Sequence, residues 1–429
     1  MPRWVRCASC REPPPSATRA QKKSLPEIAR ELNVDAIVEG SVIRSRQRVR
    51  VTAQLLQARS DRHLWAETYD RDLGDVLKLQ SEVADAIAQQ VRAQLTPQQQ
   101  AQLRATYAVN PAAYDAYLKG HLYFTTEFTN PDSLRKAQHL FDEAIQKDPN
   151  FALAYSGLGD TYIYLAFTGA MQREHAYQAA KDELAEAMAL DDGIGEAYDA
   201  LGVLNWRFEW DWDAADRAFN RAIALAPSYS CAHEDRALFL AFTGRRTEAL
   251  GEIAKVQKLD YSLSSGLTES GTYYQLRDYS RLIEASKRAL LLDPKVWFEH
   301  YDLGVGYEGT GNLQEAISEY QKAIEMADGS QGPAVALAHA YSAAGRKDQA
   351  EKILRDLERK SKGASVPPYT MATIYAGLGE NDKAFEFLDK AYSDKSFDMS
   401  WSLKSDFMLD SLHPDPRFQS LLRRMRLQD

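Results

Sequence analysis

The sequence is poor in the residues and runs that mark several classes of protein. Its 429 residues include three cysteines, too few for the disulfide framework of a small secreted domain. No stretch approaches the roughly 18 consecutive apolar residues of a membrane-spanning helix. The opening MPRWVRCASCREPPPSA has arginines and prolines where a signal peptide has an apolar centre. We therefore predict a chain without a membrane span, cytoplasmic by default, and periplasmic if a transmembrane segment is missing upstream.

Motifs for catalysis and cofactor binding are also absent. The eight histidines are scattered singly, and there is no phosphate-binding loop, nucleophile elbow or kinase motif. Cys7 and Cys10 form one C-x-x-C pair without a second pair at zinc-ligand spacing. The stretch GVGYEG (Gly304, Gly306, Gly309) fits G-x-G-x-x-G, but it lies inside a predicted helix rather than after a strand. The prediction is no enzyme, no metal and no cofactor.

Charge is distributed unevenly along the chain. The net charge is −9, yet residues 1–59 hold twelve basic and five acidic residues, a local charge of +7 that leaves −16 for the rest. A basic head can mark a nucleic-acid patch. Here the arginines alternate along a predicted strand as a solvated face, without the aromatic or helical context of a reader module. We therefore predict no nucleic-acid partner.

A period of about 34 residues runs through most of the chain. The segments AHEDRALFLAFTGRRTEALGEIAKVQKLD and HYDLGVGYEGTGNLQEAISEYQKAIEMAD each read as a helix, a glycine turn at Gly244 or Gly311, and a second helix. In register, a small residue of the first helix recurs at Gly120, Gly159, Gly202, Ala237, Ser270, Gly304, Ala338 and Ala372. One site of the second helix is filled by Ala137, Ala180, Ala215, Ala249, Leu282, Ala316, Ala350 and Ala384. Small residues at both sites let the two helices approach closely.

This pattern resembles the tetratricopeptide repeat, in eight copies over residues 110–395. The resemblance implies a mainly α fold, a right-handed α-solenoid of about eight helical hairpins. The fifth copy departs from it, with Ser270 and Ser286 where a small and a bulky residue are usual, so we expect weak packing there. Residues 396–429 contain a short amphipathic helix opened by prolines, and we predict that this segment caps the array.

Residues 24–98 follow a different pattern. Ser24 and Glu27 form a capping box for a short helix, residues 38–57 alternate as two strands around a turn, HLWAETYDR reads as a third strand, and a long amphipathic helix follows. This order resembles the second half of a small α/β domain similar to the amino-terminal domain of TolB. In bacteria that domain precedes tetratricopeptide arrays in CadC-type regulators, nucleotide cyclases and receptor-like serine/threonine kinases.

The first half of that domain has no counterpart here. Residues 1–23 contain REPPPSATRA, whose prolines cannot donate to a β-ladder, although a helix that feeds a strand in a β-α-β unit needs a parallel strand before it. Either a partner supplies the missing strands, or residues 1–23 are a disordered or non-native leader produced by a shifted reading or a misplaced start. The composition of the leader favours the second explanation.

The resemblance also implies a partner-binding surface, because the first helices of such hairpins line the concave side. The matching positions are aromatic and acidic, and the basic clamp of the chaperone-binding members is absent, so a protein or peptide partner that is basic or aromatic is expected. About half of the aromatics are expected to pack between repeats instead. The candidate groove residues are Tyr117, His121, Phe124, Asp160, Tyr164, Asp199, Trp206, Asp235, Phe242, Tyr301 and Asp302.

Two functions remain open at this point. The first is a non-catalytic interaction scaffold, the sensor or interaction part of a bacterial signalling or transcriptional regulator. The alternative is a fragment of a multidomain enzyme, a serine/threonine kinase or nucleotide cyclase, without its catalytic domain. Both predict binding without turnover by this chain.

Overall fold

The computed structural model describes residues 36–45, 48–57, 62–72, 109–126, 128, 130–259, 263–327, 331–360 and 366–427, and single residues between 79 and 90. The C-x-x-C pair of Cys7 and Cys10, the capping box at Ser24 and the leader 1–23 lie outside the described residues. The chain forms two compact units, Met1–Gln172 with Asp182–Asp192, and Arg173–Lys181 with Gly193–Asp429. These are called unit 1 and unit 2.

Unit 1 begins with the three predicted strands, which form an antiparallel sheet in the order β1-β2-β3. In β2, Val49 and Leu55 are buried while Arg48 and Arg50 are exposed, as their alternation predicts. Both arginines bind Asp70 on the neighbouring strand, at 2.8 Å each. The strands are β1 (Ala36–Ser45), β2 (Arg48–Gln57) and β3 (Arg62–Asp72).

One face of this sheet is covered by residues of the predicted long amphipathic helix. Leu79, 1% exposed, packs with Val49 and Tyr69, and Val83 lies against the same cluster. Burying apolar side chains between strand and helix gives a three-stranded sheet the second layer that it needs for stability. The sheet is the small module predicted ahead of the repeats.

Sixteen helices in the described chain pair into eight hairpins, which confirms the predicted mainly α solenoid fold. Each hairpin is one repeat, numbered 1 to 8 in chain order. The first four are α1 (Pro111–Thr126) with α2 (Pro131–Lys147), α3 (Ala152–Phe167) with α4 (Arg173–Leu190), α5 (Gly195–Leu204) with α6 (Trp212–Leu225), and α7 (Ser230–Phe242) with α8 (Arg246–Leu259). The last four are α9 (Leu263–Gln275) with α10 (Tyr279–Leu292), α11 (Trp297–Gly309) with α12 (Leu313–Met326), α13 (Gly332–Ala343) with α14 (Lys347–Lys360), and α15 (Pro368–Leu378) with α16 (Asn381–Ser393).

Close approach of the paired helices explains the small residues of the repeat. A Cβ atom added at Gly202 would lie 2.5 Å from the Phe219 ring, and one added at Gly304 would lie 2.4 Å from the Tyr320 ring. Any larger side chain would push the second helix away. The turn glycine Gly311 has a φ of +82°, a backbone conformation that only glycine adopts without strain.

After repeat 8 the chain continues as α17 (Met399–Ser402), a 3-10 helix (Phe407–Leu412) and α18 (Pro416–Arg424). Residues 396–427 are called the C-terminal segment. Its predicted helix exists and is buried through Phe418, 1% exposed, and Leu421, 3% exposed. None of the helices in the described ranges is both long enough and apolar enough to span a membrane.

Candidate functional site

The predicted groove residues of unit 1 lie on the first helices of repeats 1 and 2. Tyr117, His121 and Phe124 share one face of α1, and the rings of Tyr117 and His121 are 5.9 Å apart. Phe124 meets Tyr164 of α3 edge-to-face, with ring centroids 5.2 Å apart. Asp160 stands one turn before Tyr164 on the same helix face. The structure thus brings these five residues onto two adjacent helices.

This surface remains open to solvent within unit 1. His121 is exposed, while Phe124, Tyr164 and Asp160 are each half-buried. Desolvation raises the pKa of Asp160 to about 7, because an ionised carboxylate is disfavoured among apolar neighbours. At neutral pH the aspartate is therefore divided between its protonated and ionised forms, and an approaching cation would favour the ionised form.

Three of the predicted groove residues of unit 2 are almost completely buried. Trp206 is 2% exposed, Phe242 1% and Asp199 3%. The other three are half-buried: Asp235, Tyr301 and Asp302. The rings of Trp206 and Phe242 are 6.0 Å apart, so these two residues do pack together.

The cover over Trp206 is the C-terminal segment. The indole Nε1 of Trp206 donates to the carbonyl oxygen of Ser400 at 2.8 Å, and the ring of Trp401 stacks on that of Trp206 at 6.0 Å. Further along, Nε1 of Trp212 donates to the carbonyl oxygen of Met425 at 2.7 Å. The segment predicted as a cap at the end of the array thus also lies against repeat 3.

A cavity of about 240 Å³ lies inside unit 2, beside this segment. Three carboxyl groups line the cavity: that of Asp302 in α11 and those of Asp398 and Asp406 in the C-terminal segment. Burial raises the pKa of Asp406 to about 6, although a backbone hydrogen bond from Met408 and the Tyr369 hydroxyl partly offset this rise. Burial likewise raises the pKa values of Asp302 and Asp398. The aromatic part of the lining comes from Tyr274, Tyr301, Tyr369 and Trp401.

The unusual serines of repeat 5 are explained by a buried acid of repeat 6. Glu299 is fully buried, and the hydroxyl of Ser270 donates to its Oε1 at 2.9 Å. Burial raises the pKa of Glu299, and the hydroxyls of Ser286 and Ser270 oppose that rise. A small polar residue is thus needed where other repeats carry glycine or alanine.

Sequence reasoning missed the residues that join the C-terminal segment to the repeats: Gln275, Arg277 and Tyr369 on the repeats, and Trp401 on the segment itself. One signal was present, a tryptophan outside the repeat register at Trp401, because a large aromatic residue in a tail needs a surface to bury it. Within the described part of the chain, no three or more His, Cys, Asp or Glu side chains are grouped so that they could hold a metal ion.

Two curated relatives match part of the chain. A putative adenylate cyclase 3 of Rhizobium meliloti is 30% identical over 174 residues, which cover 41% of this chain and 28% of the relative. The transcriptional regulator HilA of Salmonella typhimurium is 27% identical over 192 residues, covering 42% and 34%. The matches span about a third of either relative.

Solved structures and a family model also match parts of the chain. A tetratricopeptide repeat protein from Parabacteroides merdae is 13% identical with a TM-score of 0.42, covering 64% of this chain and 99% of that one. The human IFIT1 dimer with m7Gppp-AAAA is 16% identical with a TM-score of 0.47, covering 82% and 87%. The model described as tetratricopeptide repeat matches residues 309–366. Residues 309–366 thus match the tetratricopeptide repeat, and the described chain forms an α-solenoid of eight helical hairpins around that match.

Proposed function

We propose that this chain is a non-catalytic interaction module of a bacterial signalling protein and that repeats 1 and 2 bind a basic or aromatic peptide. The observation that carries the proposal is the open aromatic and acidic surface of unit 1, formed by Tyr117, His121, Phe124, Asp160 and Tyr164. This set is called the open surface. Its aromatic faces suit a cation or another ring.

Asp160 gives the open surface its charge preference. A carboxyl with a pKa of about 7 has lost much of its hydration, so a lysine or arginine side chain that pairs with it adds charge pairing without the full cost of desolvating a hydrated acid. Tyr164, one turn away on the same helix, places a half-buried aromatic ring beside that carboxyl. The predicted ligand is therefore a peptide with a basic residue next to an aromatic one.

The names of the two relatives support a signalling context. One is called an adenylate cyclase and the other a transcriptional regulator, and each extends well beyond the part that this chain matches. We assign the present chain to the interaction part of such a protein. The name of the first relative also favours the alternative of a regulatory fragment of a nucleotide cyclase. Cyclase-encoding sequence in the DNA next to this gene would select that alternative.

The pH dependence of peptide binding tests the open surface. A labelled peptide with one arginine beside one tryptophan should bind more tightly as pH rises from 6 to 8, since ionised Asp160 is the form that pairs with the cation. We expect a roughly tenfold gain in affinity over this range, because with a pKa of about 7 about a tenth of Asp160 is ionised at pH 6 and about nine tenths at pH 8. Asp160→Asn should bind weakly and show no such gain.

Asp115→Asn is the matched control, because it removes one carboxylate from the exposed side of α1, where Asp115 pairs with Lys119. It should keep both the affinity and the pH profile. Equal binding by Asp160→Asn and the unaltered chain at every pH would remove the open surface as the site.

A further inference from the structure

The C-terminal segment is held by side chains that bind its main chain. Nε1 of Trp206 donates to the carbonyl oxygen of Ser400 at 2.8 Å. Nε2 of Gln275 donates to the carbonyl oxygen of Trp401 at 2.6 Å, and Nε of Arg277 donates to that of Ser405 at 2.9 Å. Side-chain donors aimed at several main-chain carbonyl groups recognise a peptide by its backbone, because each buried carbonyl must replace the hydrogen bond that it made with water.

Side chains of the segment supply the anchors. The guanidinium of Arg207 lies 5.1 Å from the ring of Trp206 and 5.1 Å from the ring of Trp401, so it contacts both members of the stacked pair. Asp406, five residues after Trp401 in the same segment, accepts a hydrogen bond from the Tyr369 hydroxyl at 2.9 Å. Tryptophan and arginine in desolvated contacts are the residues that dominate the energy of protein interfaces.

The backbone of repeat 3 is irregular at the point where it receives the segment. Helix α5 continues into a π-helical turn over Asn205–Glu209, which carries Trp206 and Arg207. The turn ends at Trp210 in the left-handed region, with a φ of +61°. Such π-helical turns are rare and are often found at functional sites. The irregular turn carries Trp206 and Arg207, the two side chains that contact the ring of Trp401.

We propose that five residues of unit 2, Trp206, Arg207, Gln275, Arg277 and Tyr369, form a peptide-binding site that the C-terminal segment occupies within the same chain. They are called the tryptophan face. The partner that fits this face is a peptide with a tryptophan followed five residues later by an aspartate, taking the places of Trp401 and Asp406. The inference rests on the proposed function in that the chain binds peptides, but it concerns a different surface and a different peptide.

The test weakens the contact of the C-terminal segment with the tryptophan face and adds the same part of the sequence as a separate peptide. In the full chain carrying Trp401→Ala, a fluorescently labelled peptide of residues 396–413 should bind at least tenfold more tightly than it binds the unaltered chain, whose own segment competes. Trp206→Ala added to this variant should abolish binding. Trp297→Ala added instead is the matched control and should leave binding intact, since Trp297 packs against Phe298 outside the tryptophan face. The same peptide with alanine in place of its tryptophan should not bind.

A second form of the protein covers the case in which Trp401→Ala does not fold. A protease site placed at residues 394–396 of the full chain, where Lys395 has a φ of +47°, lets the segment be cut from repeat 8 after folding. Excess labelled peptide should then exchange into the cut protein. If neither the folded variant nor the cut protein takes up the peptide, the segment is a fixed part of the fold and the proposal is overturned. Binding of the basic peptide at Asp160 should be unchanged by Trp206→Ala, so the two proposals fail separately.

Discussion

The first helices of repeats 1 and 2 and those of repeats 3 and 4 carry the same kind of residues in the same register, yet these residues differ in exposure. In unit 1, His121 is exposed and Tyr164 is half-buried. In unit 2, Trp206 and Phe242 are almost completely buried, and the C-terminal segment lies over Trp206. A repeat register therefore identifies which helix face is used for contacts, but it does not say whether a partner or the chain itself makes them.

The largest expected difference between the two regions comes from removing one aromatic side chain from each. Trp206→Ala deletes a buried ring, its stack with Trp401 and the hydrogen bond to Ser400, and should cost about 3 to 5 kcal/mol. Tyr164→Ala removes a half-buried ring and should cost about 1 to 2 kcal/mol. Urea unfolding of both variants measures the two costs.

Hydrogen exchange then locates the effect. In Trp206→Ala the amides of the 3-10 helix Phe407–Leu412 should exchange faster, because their segment has lost its main anchor, while the amides of α1 should be unchanged. Equal costs in the two variants, or unchanged exchange in Phe407–Leu412, would contradict the distinction between a covered face and an open one.

The sequence predicts the repeats but not the docking of the C-terminal segment, and the reason is physical. The eight hairpins rest on contacts within one period, so small residues such as Gly202 and Gly304 recur and can be recognised. Docking of the C-terminal segment joins residues 194 positions apart, as between Trp206 and Ser400, and occurs once, so it leaves no periodic signal. The repeats could thus be identified from the sequence, whereas the docking of the C-terminal segment over Trp206 could not.

A residue that departs from the repeat pattern is harder to interpret from the sequence than one that follows it. Ser270 and Ser286 suggested weak packing, but both are fully buried around Glu299, and Ser270 binds its carboxyl group. The sequence contains Glu299, yet its burial depends on the contact between repeats 5 and 6.

An intermediate effect should appear when the acids of the two regions are compared across pH. Burial raises the pKa of Asp406 to about 6 from an ordinary value near 3.8, so the folded state holds this proton more tightly than the unfolded chain does. The contribution of Asp406 to stability is therefore present at low pH and declines as pH rises from about 4 to about 6. Two pKa units correspond to at most roughly 3 kcal/mol.

Asp406→Asn should reveal this decline directly. The amide is nearly isosteric with the acid and does not ionise, so the melting temperature of the variant relative to the unaltered chain should rise by a few degrees between pH 4.5 and pH 7. Asp160→Asn should show a rise that extends to higher pH, to about pH 7, because the pKa of Asp160 is about 7. A temperature difference that does not change with pH for Asp406→Asn would show that its carboxyl group is not destabilised in the folded state.

The smallest effect is expected at the most exposed member of the open surface. The His121 ring lies beside Tyr117 at 5.9 Å and is exposed, and its backbone carbonyl, which accepts a hydrogen bond from the Thr125 hydroxyl, survives substitution. Replacing it by alanine, a better helix former, should change the unfolding free energy by no more than about 0.5 kcal/mol. The basic peptide should nevertheless bind several-fold more weakly, because the ring contributes contact area in the complex and little in the free chain. Calorimetric titration beside thermal unfolding separates the two quantities. Loss of stability without loss of affinity would mean that the His121 ring belongs to the packing of repeat 1, and that the open surface is smaller than the repeat register suggests.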